Sequence, residues 1–176
     1  MGEEGICFKF NFLNRRILIE WPGLSIYYED SNEEMPIQQQ ILILHYLLGA
    51  WNSSGAPVTG EWIAFQDIPD GKFYMDAFQR RAKIPLVQSF GNRPELLVSL
   101  AKKSLGADSL DQGDHAVMVK ALPLVPIALI IWAGDDEFPP EGNVLFDRNV
   151  TRLLSAEDIV WLAGMVVYPL MGMAGR

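Results

Sequence analysis

The sequence predicts an α+β fold: a single domain, residues 1–176, in which an antiparallel sheet is covered by helices. Three observations predict it. Short stretches with a two-residue apolar period open the chain and are joined by tight turns. Antiparallel strands can be joined that way, whereas a parallel crossover needs about a dozen residues. From Ala121 to Gly134 fourteen residues carry no charge, and the Val- and Ile-rich core of that run, Leu122 to Trp132, reads as a strand buried on both faces. Helical periods fill most of the rest, without the regular strand–helix–strand rhythm of a parallel sheet.

Taken in order, residues 5–28 form a three-stranded meander. Phe8, Phe10 and Phe12 alternate with Lys9 and Asn11, Asn14-Arg15 turns, and Ile17, Ile19 and Trp21 continue the alternation. Pro22-Gly23 is a second turn before Leu24, Ile26 and Tyr28. A polar connector, Glu29 to Met35, leads to Pro36, whose missing N–H suits a helix start. Ile37, Ile41, Leu44 and Leu48 recur at helical spacing as its core stripe. Gly49 to Gly60 is a loop and Glu61 to Gln66 a short strand. In the turn Pro69-Asp70-Gly71, Pro presets φ and Gly supplies positive φ.

Phe73 to Lys83 is read as an amphipathic helix with Phe73, Ala77 and Phe78 inward, interrupted at Pro85. Phe90-Gly91 turns, and Pro94 to Leu105 is a helix resting on Leu97, Leu100 and Ala101. Asp108 to Asp114 is a loose acidic stretch. Ala116 to Lys120 is an edge strand leading into the buried run, and Asn143 to Phe146 is its hairpin partner. Ser155 is the N-cap of the final helix, with Glu157 and Asp158 in the first turn, where the helix dipole favours acids.

Composition narrows the function. The globular make-up, 49% apolar and 20% charged, argues against disorder. Fourteen basic against twenty-two acidic residues leave −8, which repels phosphate backbones. The basic clusters Arg80-Arg81-Lys83 and Lys102-Lys103 are short and separate, so nucleic acid is disfavoured. Cys7 is alone, which excludes an internal disulfide and a cysteine-built cluster. It is expected as a small apolar residue on an early strand. The acidic N-terminus lacks a basic region followed by an apolar core, so the expected compartment is the cytoplasm. Ile159 to Gly175 is uncharged for seventeen residues, short of the roughly 20 needed for a span, and is read as a buried terminal helix rather than a membrane segment.

The sharpest chemical feature is Asp135-Asp136-Glu137, which follows the buried run and should sit at the rim of a cavity. Three adjacent carboxylates repel one another unless solvated, paired with an arginine such as Arg80 or Arg81, or bound to a cation. Their spacing is not that of a calcium loop, and no metal site is assigned. Gly134 to Phe138 resembles the signature hairpin of diguanylate cyclases, but Asp135 replaces its second glycine and that reading is set aside. His45 lies at the edge of the predicted core stripe. It is read either as a core histidine with one satisfied nitrogen or as a ligand or acid–base group. Arg80, Arg81 and Tyr74 share one helix and could hold an anion, or serve as surface charge.

Several segments together resemble one family. They are Ile41 to Ala50, Gly60 to Phe65, Phe73-Tyr74 with Ala77-Phe78 and Arg80-Arg81, and Pro85-Leu86 with Phe90-Gly91. They continue through Pro126, Trp132 and Gly134 to Pro139, then Leu145 to Asp147 and Leu154 to Ile159. On these residues the chain resembles the bacterial and archaeal domain-of-unknown-function family 3786. The resemblance implies an anaerobic setting. Some members carry an added cysteine-rich iron–sulfur segment that this sequence lacks, so no cluster function carries over. It transfers no catalytic residue, and it leaves Asp147 and Glu157 as capping or structural candidates.

Three functions follow from these residues. The first is a binding module for a small ligand or cofactor of unassigned identity, with His45, Glu61, Tyr74, Arg80, Arg81, Asp135, Asp136 and Glu137 as the candidate site. The second is an interaction protein that docks through its apolar helix, Ile159 to Met173, on a partner or a second copy. The third is a metal-assisted enzyme using His45 and a carboxylate, which requires those two groups within hydrogen-bond reach in a cleft.

Overall fold

The structure, a computed structural model, describes residues 6–31 and 33–175. Gly5, the acidic N-terminus and Asn32 of the predicted connector lie outside the described residues. The chain opens with the expected antiparallel meander, β1 (Ile6–Phe12), β2 (Arg15–Trp21) and β3 (Ser25–Tyr28), in that spatial order. Its first turn is Leu13-Asn14 rather than Asn14-Arg15. Both residues have positive φ, 49° and 65°, which matches a two-residue turn to the strand twist. Phe12, Ile17, Ile19 and Ile26 turn into the core. Cys7 lies on β1, the early strand expected for it, and with Phe8 stands outside the core.

A second antiparallel sheet has the order β4-β8-β7-β6-β5. Its strands are β4 (Trp62–Ala64), β5 (Asp108–Ser109), β6 (His115–Leu122), β7 (Val125–Trp132) and β8 (Glu141–Asp147). The apolar run is therefore two pieces: Leu122 ends β6, Pro123 and Leu124 turn, and β7 is central. Val125 to Ile131 is buried throughout, as a strand with both faces shielded requires. Pro126 faces Lys120 where the β6–β7 register shifts, an irregularity that admits proline within a sheet. β6 is not the edge, because β5 pairs with it over two residues. The predicted strand Glu61 to Gln66 shortens to β4, since Phe65–Asp67 coils into a 3-10 turn in which Asp67 accepts the Ala64 N–H.

The helices are α1 (Ile37–Asn52), α2 (Gly71–Phe78), α3 (Ile84–Phe90), α4 (Pro94–Leu105) and α5 (Ala156–Ala174). One hydrophobic cluster joins both sheets and all five helices. A smaller one, around Ala116, Ala128 and Ile130, lies on the other face of the second sheet. α5 is long and apolar enough to cross a membrane by length and composition, and half of it is buried inside the protein.

Three helical expectations are corrected. Pro85 does not interrupt the Phe73–Lys83 helix. The backbone widens into a π-turn at Gln79–Lys83, where the Ile84 N–H bonds the Gln79 carbonyl, and the coil runs on into α3. A widened turn accommodates a residue that can neither donate to the carbonyl four back nor pack against it. In α2, Phe78 is buried and stacks on Phe65 with ring centroids 4.3 Å apart, whereas Phe73 is 86% exposed. At the preceding turn the positive φ belongs to Asp70, at 61°, and not to Gly71.

The largest change is in α1. Leu42, Ile43 and Tyr46 are buried, while Ile37, Ile41 and Leu48 are exposed and Leu44 is half-buried. The helix is turned so that the predicted core stripe faces outward. Gly49 lies on the packed side, where a Cβ would overlap the Leu153 carbonyl.

Candidate functional site

α1 and the N-terminal half of α5 lie side by side, because Gly49 brings α1 against the backbone of Leu153, just ahead of α5. The start of α5 is locked by a reciprocal capping box. The Ser155 hydroxyl accepts the Asp158 N–H at 3.2 Å, and the Asp158 carboxylate accepts the Ser155 N–H at 3.2 Å. Asp158 Oδ2 also accepts the Ser155 hydroxyl at 2.6 Å. Its other oxygen lies 2.8 Å from His45 Nδ1. His45 is therefore half-exposed and tethered by a nearly buried carboxylate, not packed among core side chains.

Ser155, His45 and Asp158 do not form a nucleophile–base pair. The serine hydroxyl is held by the carboxylate rather than by the imidazole, so no base is placed to take its proton.

A shallow cleft of about 300 Å³ opens between the two helices. Ile41, Leu42 and Trp161 provide its apolar surface, and Gln38, His45 and Glu157 provide polar groups. A second concavity of about 180 Å³ shares Gln38 and Trp161 with it. There the Arg81 guanidinium stacks 4.0 Å from the Trp161 ring centroid. The Tyr74 hydroxyl donates to Glu157 Oε2 at 3.5 Å. Three of the residues singled out in the sequence, His45, Tyr74 and Arg81, thus gather around the first two turns of α5. Trp161 and Gln38 were not singled out. The signal for Trp161 was its position four residues after Glu157, on the same helix face.

The other candidates lie elsewhere. Arg80 is exposed on the π-turn. Glu61 forms a two-point pair with Arg148, 2.5 and 2.6 Å, at the junction of β4 and β8, and the Arg148 guanidinium holds its carboxyl below the usual range. Asp135, Asp136 and Glu137 are exposed. Asp135 Oδ1 accepts the N–H groups of Glu137 and Phe138 at 2.8 and 2.7 Å, so the acid folds its own turn. The hollow beside that turn is lined by its base, Ala133 and Gly134, with His115, Asn92 and Glu95 among its other walls. The turn's ion pairing with Arg80 or Arg81 is not formed, and the expectation that its carboxylates rim a cavity is corrected. Among the described residues no three His, Cys, Asp or Glu side chains gather as a metal site would need.

Truncating Asp158 to Ala tests the first turn. It removes the cap and the His45 tether together, and the expected cost is about 1–2 kcal/mol in chemical denaturation. His45→Ala, which leaves the capping box intact, should cost clearly less in the same assay.

Fold and site together define an α+β protein with two antiparallel sheets and a tryptophan-walled cleft between its first and last helices. The chain belongs to the family described as Domain of unknown function (DUF3786), whose model matches residues 1–168. The match reaches well upstream of Ile41, so the N-terminal meander is part of the family domain. No curated protein and no solved structure matches the chain.

Proposed function

We propose that this is a cytoplasmic small-ligand-binding module and that the ligand sits at Trp161, between α1 and α5. The observation that carries the reading is the gathering of His45 and Arg81, from different parts of the chain, around one tryptophan beside an apolar wall, with Tyr74 on Glu157 one turn before it. Sites of this kind combine apolar surface with a few polar groups that fix orientation. Glu157 offers an acceptor, Gln38 an amide, and His45 a ring whose orientation Asp158 sets. A planar heteroaromatic ligand, neutral or cationic, fits this set. An anionic one meets Glu157 and a chain of net charge −8.

Thermal shift against a panel of cationic and neutral heteroaromatic compounds tests it. At 100 times its dissociation constant a ligand adds about 2.7 kcal/mol, which raises Tm by about 5–10 °C for a chain of this size. The shift should vanish in Trp161→Ala. A flat response across the panel, or a shift unchanged in that variant, would overturn the reading.

A second reading, an interaction module, is supported by a different observation. α1 has no Asp, Glu, Lys or Arg in its sixteen residues, and Ile37, Ile41, Leu48 and Trp51 stand exposed along one side of it. Soluble helices ordinarily place charge on the outward face, so an apolar one points to something that covers it.

A further inference from the structure

We propose a second binding site, for a small molecule bearing a carboxylate or phosphate group, at the seam where the two sheets meet. It is separate from the Trp161 cleft and does not rest on that reading. At the seam the Leu13 N–H donates to the Ala121 carbonyl at 2.9 Å, which ties the first turn of the meander to the end of β6. The residues on either side of this tie line a concavity of about 350 Å³, a volume that suits a small metabolite. Phe10, Leu105 and Leu122 give it apolar surface, and Asn11, Asn14, Arg16 and Lys120 give it polar groups.

The fold places each of these polar groups. Asn11 and Arg16 stand opposite one another in the β1–β2 register, so they share a face of the meander. Lys120 is at the register shift of β6, an irregularity of the kind that re-aims a side chain. Asn14 rests on Gly106, where a Cβ would come within 2.8 Å of its Oδ1, and its Nδ2 donates to the Ser104 carbonyl at 3.5 Å. The Leu100 carbonyl accepts the Ser104 hydroxyl, and the Ala101 carbonyl accepts the Gly106 and Ala107 N–H groups. The carbonyl end of α4 is thus largely satisfied, which leaves less of its negative pole to repel an anion.

The class of ligand follows from the donors left over. Arg15 is committed: it pairs with Asp30 through Nε at 3.1 Å and Nη2 at 2.5 Å, and its guanidinium stacks on Tyr28. Arg16, its neighbour, is not. Its one ion-pair partner among the described residues is Glu29, 3.8 Å from Nε and beyond hydrogen-bond range, so both Nη groups are open. Lys120 meets Asp108 at 3.3 Å, which occupies one of its three N–H donors. A planar fork and an ammonium in one concavity match a carboxylate or phosphate, to which arginine offers two parallel bonds. The chain's −8 opposes an anion, but exposed charges farther than about 8 Å are largely screened at physiological salt. Close by, Lys102 and Lys103 in the last turn of α4 add to the two cations that line the concavity.

Two-dimensional NMR of the full chain tests the site, read at the Gly106 backbone amide and the Asn14 side-chain amide. The probes are phenyl phosphate, benzoate and uncharged phenol. Saturable shifts are expected with at least one of the two anions, and none at these amides with phenol. Binding of phenyl phosphate alone assigns a phosphate head group, of benzoate alone a carboxylate, and of both an oxyanion of either kind. Arg16→Gln and Lys120→Gln should each weaken binding about tenfold, as the loss of a charged hydrogen bond does. Arg15→Gln removes the same charge one residue away and should change binding by less than about twofold, because that guanidinium is already committed. All three side chains are exposed, so Tm should hold. The site is overturned by the absence of saturable shifts through the millimolar range. It is also overturned by binding unchanged in Arg16→Gln or in Lys120→Gln, or by a loss as large in Arg15→Gln. Phenol shifting the same amides as strongly would overturn the oxyanion. Shifts confined to the Trp161 indole would overturn the seam site and leave the cleft reading standing.

Discussion

Replacing Gly49 by alanine should destabilise the protein by about 2–3 kcal/mol, although the position is helical and exchanging glycine for alanine in an open helix gains about 1 kcal/mol. The added methyl has no room. It falls on the carbonyl, carbonyl carbon and Cα of Leu153, which are backbone atoms and cannot turn aside as a side chain would. Either α1 moves away from the start of α5 or the Leu153 turn deforms. Both responses stretch the 2.8 Å contact between His45 and Asp158 and open the cleft at Trp161. Gly164→Ala is the matched control. It also lies inside a helix, but its Cβ would meet Tyr168 and Arg81 at ordinary distances of 3.5 and 3.6 Å, so stability should hold or rise. Urea denaturation of the two variants decides the matter. Equal effects would mean that the close approach of α1 to Leu153 is not what holds the first and last helices together.

The same glycine explains what could be read from the sequence and what could not. The strands were legible because a period of two in short apolar stretches has a single solution: Ile17 and Ile19 must share a face, and they do. α1 was not legible by periodicity, because Ile41 to Leu48 is apolar at nearly every position and several stripes fit equally well. What breaks the tie is Gly49, which shares a face with Leu42 and Tyr46 and marks the side where another backbone comes close. Phe73 was assigned inward together with Phe78, but five residues of regular helix set the two about 140° apart, and only Phe78 faces the core. The acidic turn was noticed for its composition, yet its chemistry is local, since Asp135 is spent on two N–H groups of its own turn. Of the residues that do converge, Tyr74 and Arg81 lie seven apart on one continuous coil, a spacing the sequence shows, whereas His45 comes from α1. Only the packing against α5 brings His45 to them, and no spacing in the sequence encodes that.

Asp147→Asn should cost about 3 kcal/mol and should change how stability responds to acid. Asp147 ends β8 and is 1% exposed. Its carboxylate accepts the Thr59 and Gly60 N–H groups, the Thr59 hydroxyl and the Asn149 N–H, at 2.6–3.1 Å. It thereby ties the loop after α1 to the end of the central sheet. An amide keeps one acceptor oxygen but turns an NH₂ group toward donors, leaving buried N–H groups without partners. Burial pushes the Asp147 carboxyl up, and the N–H groups of Thr59, Asn149 and Gly60 with the Thr59 hydroxyl outweigh it, so the net position lies below the ordinary carboxylate range. A depressed folded pKa means that the unfolded chain binds the proton more readily. The stabilisation is therefore complete above the unfolded value of about 3.9 and is lost as pH falls through the folded one. Wild type should lose stability more steeply than Asp147→Asn below about pH 4, and the two curves should run parallel above about pH 5. Asp30 and Asp135 are also held low, by Arg15 and by the Phe138 N–H respectively, and cancel in the difference. Glu61, held low by Arg148, is also pushed up by the Asp147 charge and so lies lower still in the variant. Denaturation midpoints from pH 2.5 to 7 measure that difference directly. A gap that stays constant across the acid range would show that the carboxylate's charge contributes nothing beyond its shape.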